Sequence, residues 1–103
     1  MPAHLEVSGL VRRVQQEGGF AAILAKGEPE AGTILVVLAH RGAAQRAFER
    51  MPTPSGERRW TLSREEDPGD PAGFAHWLDR RRSQDRDLWI IELDVPEAER
   101  FIP

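Results

Sequence analysis

The sequence predicts a small α+β domain, with two helices and a mostly antiparallel sheet of about five strands in the order α-β-β-β-β-α-β. Three observations lead to this prediction. The 103 residues suffice for a single domain, spanning 1–103, with a modest core. Two segments repeat apolar residues at helical spacing, and the others are short apolar or alternating runs. Turns rich in glycine and proline separate these runs.

The first helix is predicted over residues 3–17. It ends at Gly18, since glycine adopts the left-handed conformation of a helix end without a Cβ penalty. Gly9 inside the helix costs about 1 kcal/mol relative to alanine. The apolar side chains that share one face of this helix are Val7, Leu10, Val11 and Val14.

Two apolar strands follow, and the rest of the chain is expected to pack against them. They are predicted at 20–25 and 33–39, as a hairpin around the glycine- and proline-bearing turn 26–32. The second strand is apolar on both faces, which predicts a central strand covered on both sides.

A third strand is predicted at 43–50, with a helix as the alternative because alanine is a poor strand former. Residues 51–56 contain two prolines and a glycine, and predict a loop. A short fourth strand is predicted at 57–62. The side chains that share one face of it are Arg58, Trp60 and Leu62.

The second helix is predicted from Asp70-Pro71 to about residue 82, after an acidic loop at 63–70. Aspartate caps helix N-termini and proline suits the first helical position. The side chains expected to face inward are Phe74, Ala75 and Leu78, with Trp77 as a further candidate.

The last strand is predicted at 88–95 and ends before Pro96. It follows a helical crossover, so it is expected beside a central or the first strand, with both helices on one face of the sheet. Residues 96–103 are expected to form a surface tail. The side chains of the inward face are Trp89, Ile91, Leu93 and Val95, and those of the opposite face are Leu88 and Ile90.

Composition excludes several classes of site. The chain has no cysteine, so disulfides, thiolate catalysis and cysteine-ligated metals are absent. The net charge of −3 gives no overall attraction to nucleic acid or anionic lipid. No run approaches the roughly 18 apolar residues of a membrane span. The first residues lack the basic segment and following apolar segment of a signal peptide. We therefore expect a cytoplasmic protein without membrane contact.

Two arginine clusters are candidate binding sites. The guanidinium groups of Arg80, Arg81 and Arg82, with that of Arg86, could bind phosphate, although cations are also favoured at a helix C-terminus and acidic neighbours could neutralise them. The second cluster, beside an aromatic ring, could hold single-stranded nucleic acid, although Trp60 is favoured as a core residue. The candidate binding residues are Arg58, Arg59, Trp60, Arg80, Arg81 and Arg82.

No catalytic or metal-binding motif is present, and no cofactor is expected. The acidic loop lacks the ligand spacing of a calcium site and is interpreted as solvated. Lys26, the only lysine, is interpreted as a solubilising turn residue. Glu92 and Asp94 could act as paired carboxylates, although acids at a strand end commonly keep an edge soluble. The histidines that lack metal-ligand spacing are His4, His40 and His76.

Three blocks together carry a family resemblance. They are Gly18-Gly19-Phe20-Ala21 after an amphipathic helix, Lys26-Gly27-Glu28-Pro29-Glu30-Ala31-Gly32 between strands, and Asp87-Leu88-Trp89-Ile90-Ile91-Glu92 after an arginine-rich helix end. The combination resembles the bacterial family called domain of unknown function 1491, over nearly the whole chain. The resemblance implies a single α+β domain in a bacterial cytoplasm, and it names no functional residue.

The leading functional hypothesis is a non-enzymatic protein-interaction module, as a homodimer or with another protein. It rests on strands that are apolar on both faces and on two helices that could cover only one face. The alternative is a nucleic-acid or phosphate-ligand binder that uses the two arginine clusters. An enzyme with a small-molecule pocket is a third hypothesis, without a sequence feature behind it.

Overall fold

The computed structural model describes residues 2–52 and 54–102. Thr53 in the predicted loop and Pro103 in the predicted tail therefore lie outside the described residues. The elements in chain order are α1 (Ala3–Gln16), β1 (Phe20–Ala25), β2 (Ile34–His40), β3 (Ala43–Pro52), β4 (Arg58–Glu65), α2 (Pro71–Gln84), β5 (Trp89–Asp94) and a 3₁₀ turn (Ala98–Phe101).

The strands form one sheet in the order β1-β5-β2-β3-β4. β5 is parallel to β2 and antiparallel to β1, and the other neighbouring pairs are antiparallel. The last strand was expected beside a central or the first strand, and it lies between the two. This order corrects the expected hairpin of the first two strands, because β5 lies between them. A strand that is apolar on both faces is best buried in the middle of the sheet, with neighbours on both edges.

The two helices cover opposite faces of the sheet, which corrects the expectation that both lie on one face. Side chains of β2 alternate between two cores: Val36 packs beneath α1, whereas Leu35 and Val37 pack against Phe74 of α2. β2 is therefore central and covered on both faces, as predicted, but within one chain. The physical reason is that each apolar face of β2 and β5 requires its own cover, and each helix supplies one.

Two details of β4 and α2 differ from the prediction. β4 continues to Glu65, into the segment that was expected to be a loop. Ala75 is exposed, whereas Phe74 is buried and Trp77 and Leu78 are half-buried. Asp70 caps α2 as predicted, since its side chain accepts a hydrogen bond of 3.2 Å from the backbone N–H of Gly73.

The segment after β5 is part of the core, which corrects the expected surface tail. Ala98, Phe101 and Ile102 are buried in the core on the α1 side of the sheet. Pro96 does end the strand, but the chain then turns back over the sheet. The apolar residues of this segment share that core with the apolar face of α1. Of the helices in the described ranges, none is long and apolar enough to cross a membrane.

Candidate interaction and binding sites

The three consecutive arginines of α2 do not form a single binding surface. Arg80 and Arg82 are exposed, but Arg81 is half-buried and turned toward the sheet. Its guanidinium donates two hydrogen bonds, of 2.7 and 2.6 Å, to the carboxylate of Glu49 on β3. The hydroxyl of Ser63 donates a third, of 2.6 Å, to the same carboxylate. Arg81 therefore holds α2 against the β3–β4 pair.

The environment of this ion pair favours the ionised form of both side chains. Glu49 is only 8% exposed. The hydrogen bond from Arg81 lowers the pKa of Glu49, against the opposing effect of burial, and Ser63 adds to the lowering. The hydrogen bond to Glu49 in turn raises the pKa of Arg81. Both groups are ionised at neutral pH, so the pair is a structural contact.

The second arginine cluster is divided between the two faces of β4. Arg58 and Trp60 lie on the face of the sheet that α1 covers. Alternation along the strand places Arg59 on the opposite face. Trp60 is half-buried and packs against the core, as favoured from the sequence. The guanidinium of Arg50 lies 5.0 Å from the centre of its ring and pairs with Glu6 at 2.6 Å. The ring face on which a base would stack is already occupied.

A third basic cluster, which joins Arg82 and Arg86 of the first candidate cluster to Lys26, lies where β1 ends and β5 begins. It lines a pocket of about 440 Å³. Lys26 and the end of α2 are far apart in sequence, and only the antiparallel pairing of β1 with β5 brings them together. The sequence indicated Arg82 and Arg86 as phosphate-binding candidates, but the interpretation of Lys26 as a solubilising turn residue left it out of the cluster. The lining residues are Lys26, Arg82, Ser83, Arg86 and Leu88.

The remaining acidic and histidine candidates form no metal site among the described residues. Asp94 accepts hydrogen bonds of 2.8 Å from the backbone N–H groups of Arg41 and Gly42, and so holds the β2–β3 turn. Burial raises the pKa of Glu92, and the charge of Asp94 adds to the effect. Within residues 2–52 and 54–102, no group of three or more metal-ligating side chains converges.

The free edge of β1 is the most apolar part of the described surface. Five large apolar side chains of the described residues are exposed, and three of them lie on this strand: Phe20 (59%), Ile23 (42%) and Leu24 (42%). β1 pairs with β5 on one side, and no other described strand pairs with it. Its six residues carry no charge. An uncharged edge of this kind is a template for pairing with another strand.

The opposite edge of the sheet, β4, has a different character. Its eight residues include three arginines and a glutamate, and the exposed apolar side chain is Leu62 (44%). Charged side chains on an edge strand discourage pairing with other chains. The two edges of this sheet are therefore unequal, and only β1 lacks this protection. The sequence could not reveal the difference, because it did not fix which strands occupy the edges.

A family model described as "Protein of unknown function (DUF1491)" matches residues 1–103. A search of curated proteins found no match. The chain is similar to the crystal structure of a DUF1491 family protein from Caulobacter crescentus CB15, with a TM-score of 0.80 and 28% identity, over 99% of this chain and 94% of that one.

Two solution structures are also similar. Protein Atu0922 from A. tumefaciens has a TM-score of 0.73 and 29% identity, over 97% of this chain and 90% of that one. An NMR structure of a DUF1491 family protein from Caulobacter crescentus CB15 has a TM-score of 0.78 and 28% identity, over 99% and 92%. The fold is therefore found in known proteins over nearly the full length of the chain.

Proposed function

We propose that this chain, which belongs to the DUF1491 family, works by protein–protein contact. In this proposal it pairs with a second copy of itself along the free edge of β1. The observation that carries the proposal is the exposure of three large apolar side chains on an uncharged edge strand. The earlier reason for a dimer, an uncovered face of β2, no longer applies, because the helices cover both faces.

The apolar side chains of β1 project on both sides of the sheet. Ile23 is opposite Ile91 and therefore lies on the α1 side, whereas Phe20 is opposite Asp94 and lies on the α2 side. Leu24 lies at an irregularity in the register and borders α2. A strand added at this edge would bury apolar surface on both faces while its backbone continues the sheet.

A second copy of the chain fits this edge. A two-fold axis pairs a strand with itself in antiparallel orientation, so each residue of 20–25 would face another residue of the same segment. The segment has no charge, so no like charges would be opposed. The dimer would contain one continuous sheet, with β4 at both outer edges. The charges of β4 would then protect the only edges that remain.

Sedimentation equilibrium over a wide concentration range tests this proposal. We expect the wild-type protein to dimerise, and Ile23→Lys to weaken the dimer by at least about tenfold, because it places like charges near the two-fold axis. Leu62→Lys is the matched control, since Leu62 is exposed to the same extent on the other edge strand (44% against 42%). The control should dimerise like the wild type.

Hydrogen exchange provides a second measurement on the same samples. The amides of residues 20–25 should become more protected as the protein concentration rises, and those of β4 should not. Circular dichroism of both variants checks that they remain folded. A wild-type protein that stays monomeric at the highest concentration contradicts the proposal. So does a Leu62→Lys protein that dissociates as readily as Ile23→Lys.

A further inference from the structure

The basic pocket at the end of β1 combines positive charge with a concave shape. Its volume is about 440 Å³, and its wall contains three cationic side chains and no carboxylate, while the Ser83 hydroxyl in the wall donates a 3.0 Å hydrogen bond to the carbonyl oxygen of Asp79. Concave sites that hold several like charges are unusual, because the charges repel one another unless a counter-ion is present. A site of this composition suits an anion.

The three cations of the pocket lack partners within the described part of the chain. The side chains of Lys26, Arg82 and Arg86 make no ion pair or hydrogen bond with any described residue. Arg46, Arg50, Arg59, Arg81 and Arg100, by contrast, each pair with a glutamate. The positive charge of the pocket is therefore free to meet a ligand.

The backbone around the pocket is tightly fixed, which positions Lys26. The Cβ of a side chain at position 27 would collide with the carbonyl oxygen of Asp87, so only glycine permits this close approach. The N–H of Glu28 donates a 3.0 Å hydrogen bond to the same carbonyl group. The indole N–H of Trp89 donates a 2.7 Å hydrogen bond to the carbonyl oxygen of Glu28. The connection after β1 is thus joined to the segment that carries Arg86.

We propose that this pocket binds the phosphate group of a small phosphorylated ligand. Guanidinium groups bind phosphate oxygens in pairs, and lysine adds a compact charge. The surroundings favour a small ligand over nucleic acid, because exposed acidic side chains flank the pocket and the whole chain carries a net charge of −3. The flanking acids are Asp79, Asp85 and Asp87.

The single lysine provides a specific probe of this pocket. Reductive methylation with ¹³C-formaldehyde labels Lys26 and the amino terminus, and NMR then follows the two signals separately. We expect the Lys26 signal to shift on titration with inorganic pyrophosphate and with adenosine monophosphate, and to stay unchanged with adenosine. Single-stranded RNA is titrated in parallel, at about 50 mM and about 200 mM salt.

A pair of double variants with equal charge identifies the site. Replacing Arg82 and Arg86 by glutamine should weaken pyrophosphate binding by at least about tenfold, because it removes two of the three pocket cations. The same replacement at Arg12 and Arg80, which are exposed outside the pocket, should leave the affinity unchanged. Absence of any shift with either phosphate compound overturns the proposal, as does an equal loss in both double variants. RNA that binds more tightly than pyrophosphate, with a steep salt dependence, also overturns it.

Discussion

The ion pair between Glu49 and Arg81 shows how one buried residue determines the role of a residue on another element. Glu49 lies on β3 with its carboxylate toward α2, and it accepts three hydrogen bonds. The ring of Trp77 lies beside the same guanidinium, whose central carbon is 5.5 Å from the ring centre. Arg81 therefore cannot bind a ligand without leaving the buried Glu49 carboxylate without its ion-pair partner.

This pair makes stability depend on pH. The pKa of Glu49 is lowered in the folded protein, so its contribution is present above the unfolded value near 4.5 and is lost as pH falls through the folded value. Glu49→Gln should cost about 2 kcal/mol at neutral pH, the scale of hydrogen bonds to charged groups, and less in acid. Urea unfolding at several pH values measures this.

The exposed pair of Glu57 and Arg59, separated by 3.6 Å, is the control for this prediction. Glu57→Gln should change the free energy of unfolding by less than about 0.5 kcal/mol at any pH, because exposed pairs contribute little. Equal effects of the two substitutions would contradict the structural role of Glu49.

Gly9 and Gly27 differ in whether the surrounding structure leaves room for a side chain. Gly9 lies within α1, and nothing is within 4 Å of the position that a Cβ would take. Gly27 follows β1, and the same atom would collide with the backbone of Asp87. The sequence shows two similar glycines, but only the second is required by packing.

The two glycines are therefore expected to respond oppositely to alanine. Gly9→Ala should stabilise the protein by about 1 kcal/mol, through helix propensity alone. Gly27→Ala should destabilise it by about 2 kcal/mol, the scale of overpacking, and should displace Lys26 from its pocket. Thermal unfolding measures the stability change in both variants, and the NMR signal of Lys26 reports its displacement in Gly27→Ala. A neutral Gly27→Ala would contradict the close contact.

For the molecule as a whole, the segment after β5 joins distant parts of the chain. Arg100 pairs with Glu17 at the end of α1, and Glu99 pairs with Arg46 on β3. The hydrogen bond from Arg46 lowers the pKa of Glu99. Phe101 is buried on the α1 side of the sheet, in the same core as the central strands. The segment thus completes the core instead of extending from it.

Removal of this contact should destabilise the whole fold. Phe101→Ala is expected to cost about 3 kcal/mol, because it leaves a cavity in the core. Leu5→Ala, at an exposed position on α1, should change stability by less than about 0.5 kcal/mol. Urea unfolding compares the two variants. A small effect of Phe101→Ala would mean that the segment is a surface tail after all.

The sequence by itself determined the elements and their order. Helix and strand patterns are local, since they depend on side chains a few residues apart, and so β1, β2, α2 and β5 were predicted within a few residues. The cap at Asp70 and the central place of β2 followed from the same local chemistry. The family was also indicated by short blocks of residues, and the full-length match confirms it.

Only the tertiary structure decided which surfaces remain free. The insertion of β5 between β1 and β2 made β1 an edge strand and brought Lys26 to Arg82 and Arg86. The placement of the helices on opposite faces covered β2 and removed the first argument for a dimer. These outcomes depend on contacts between residues far apart in the chain. An apolar pattern requires that a face be covered, but it does not specify which element covers it.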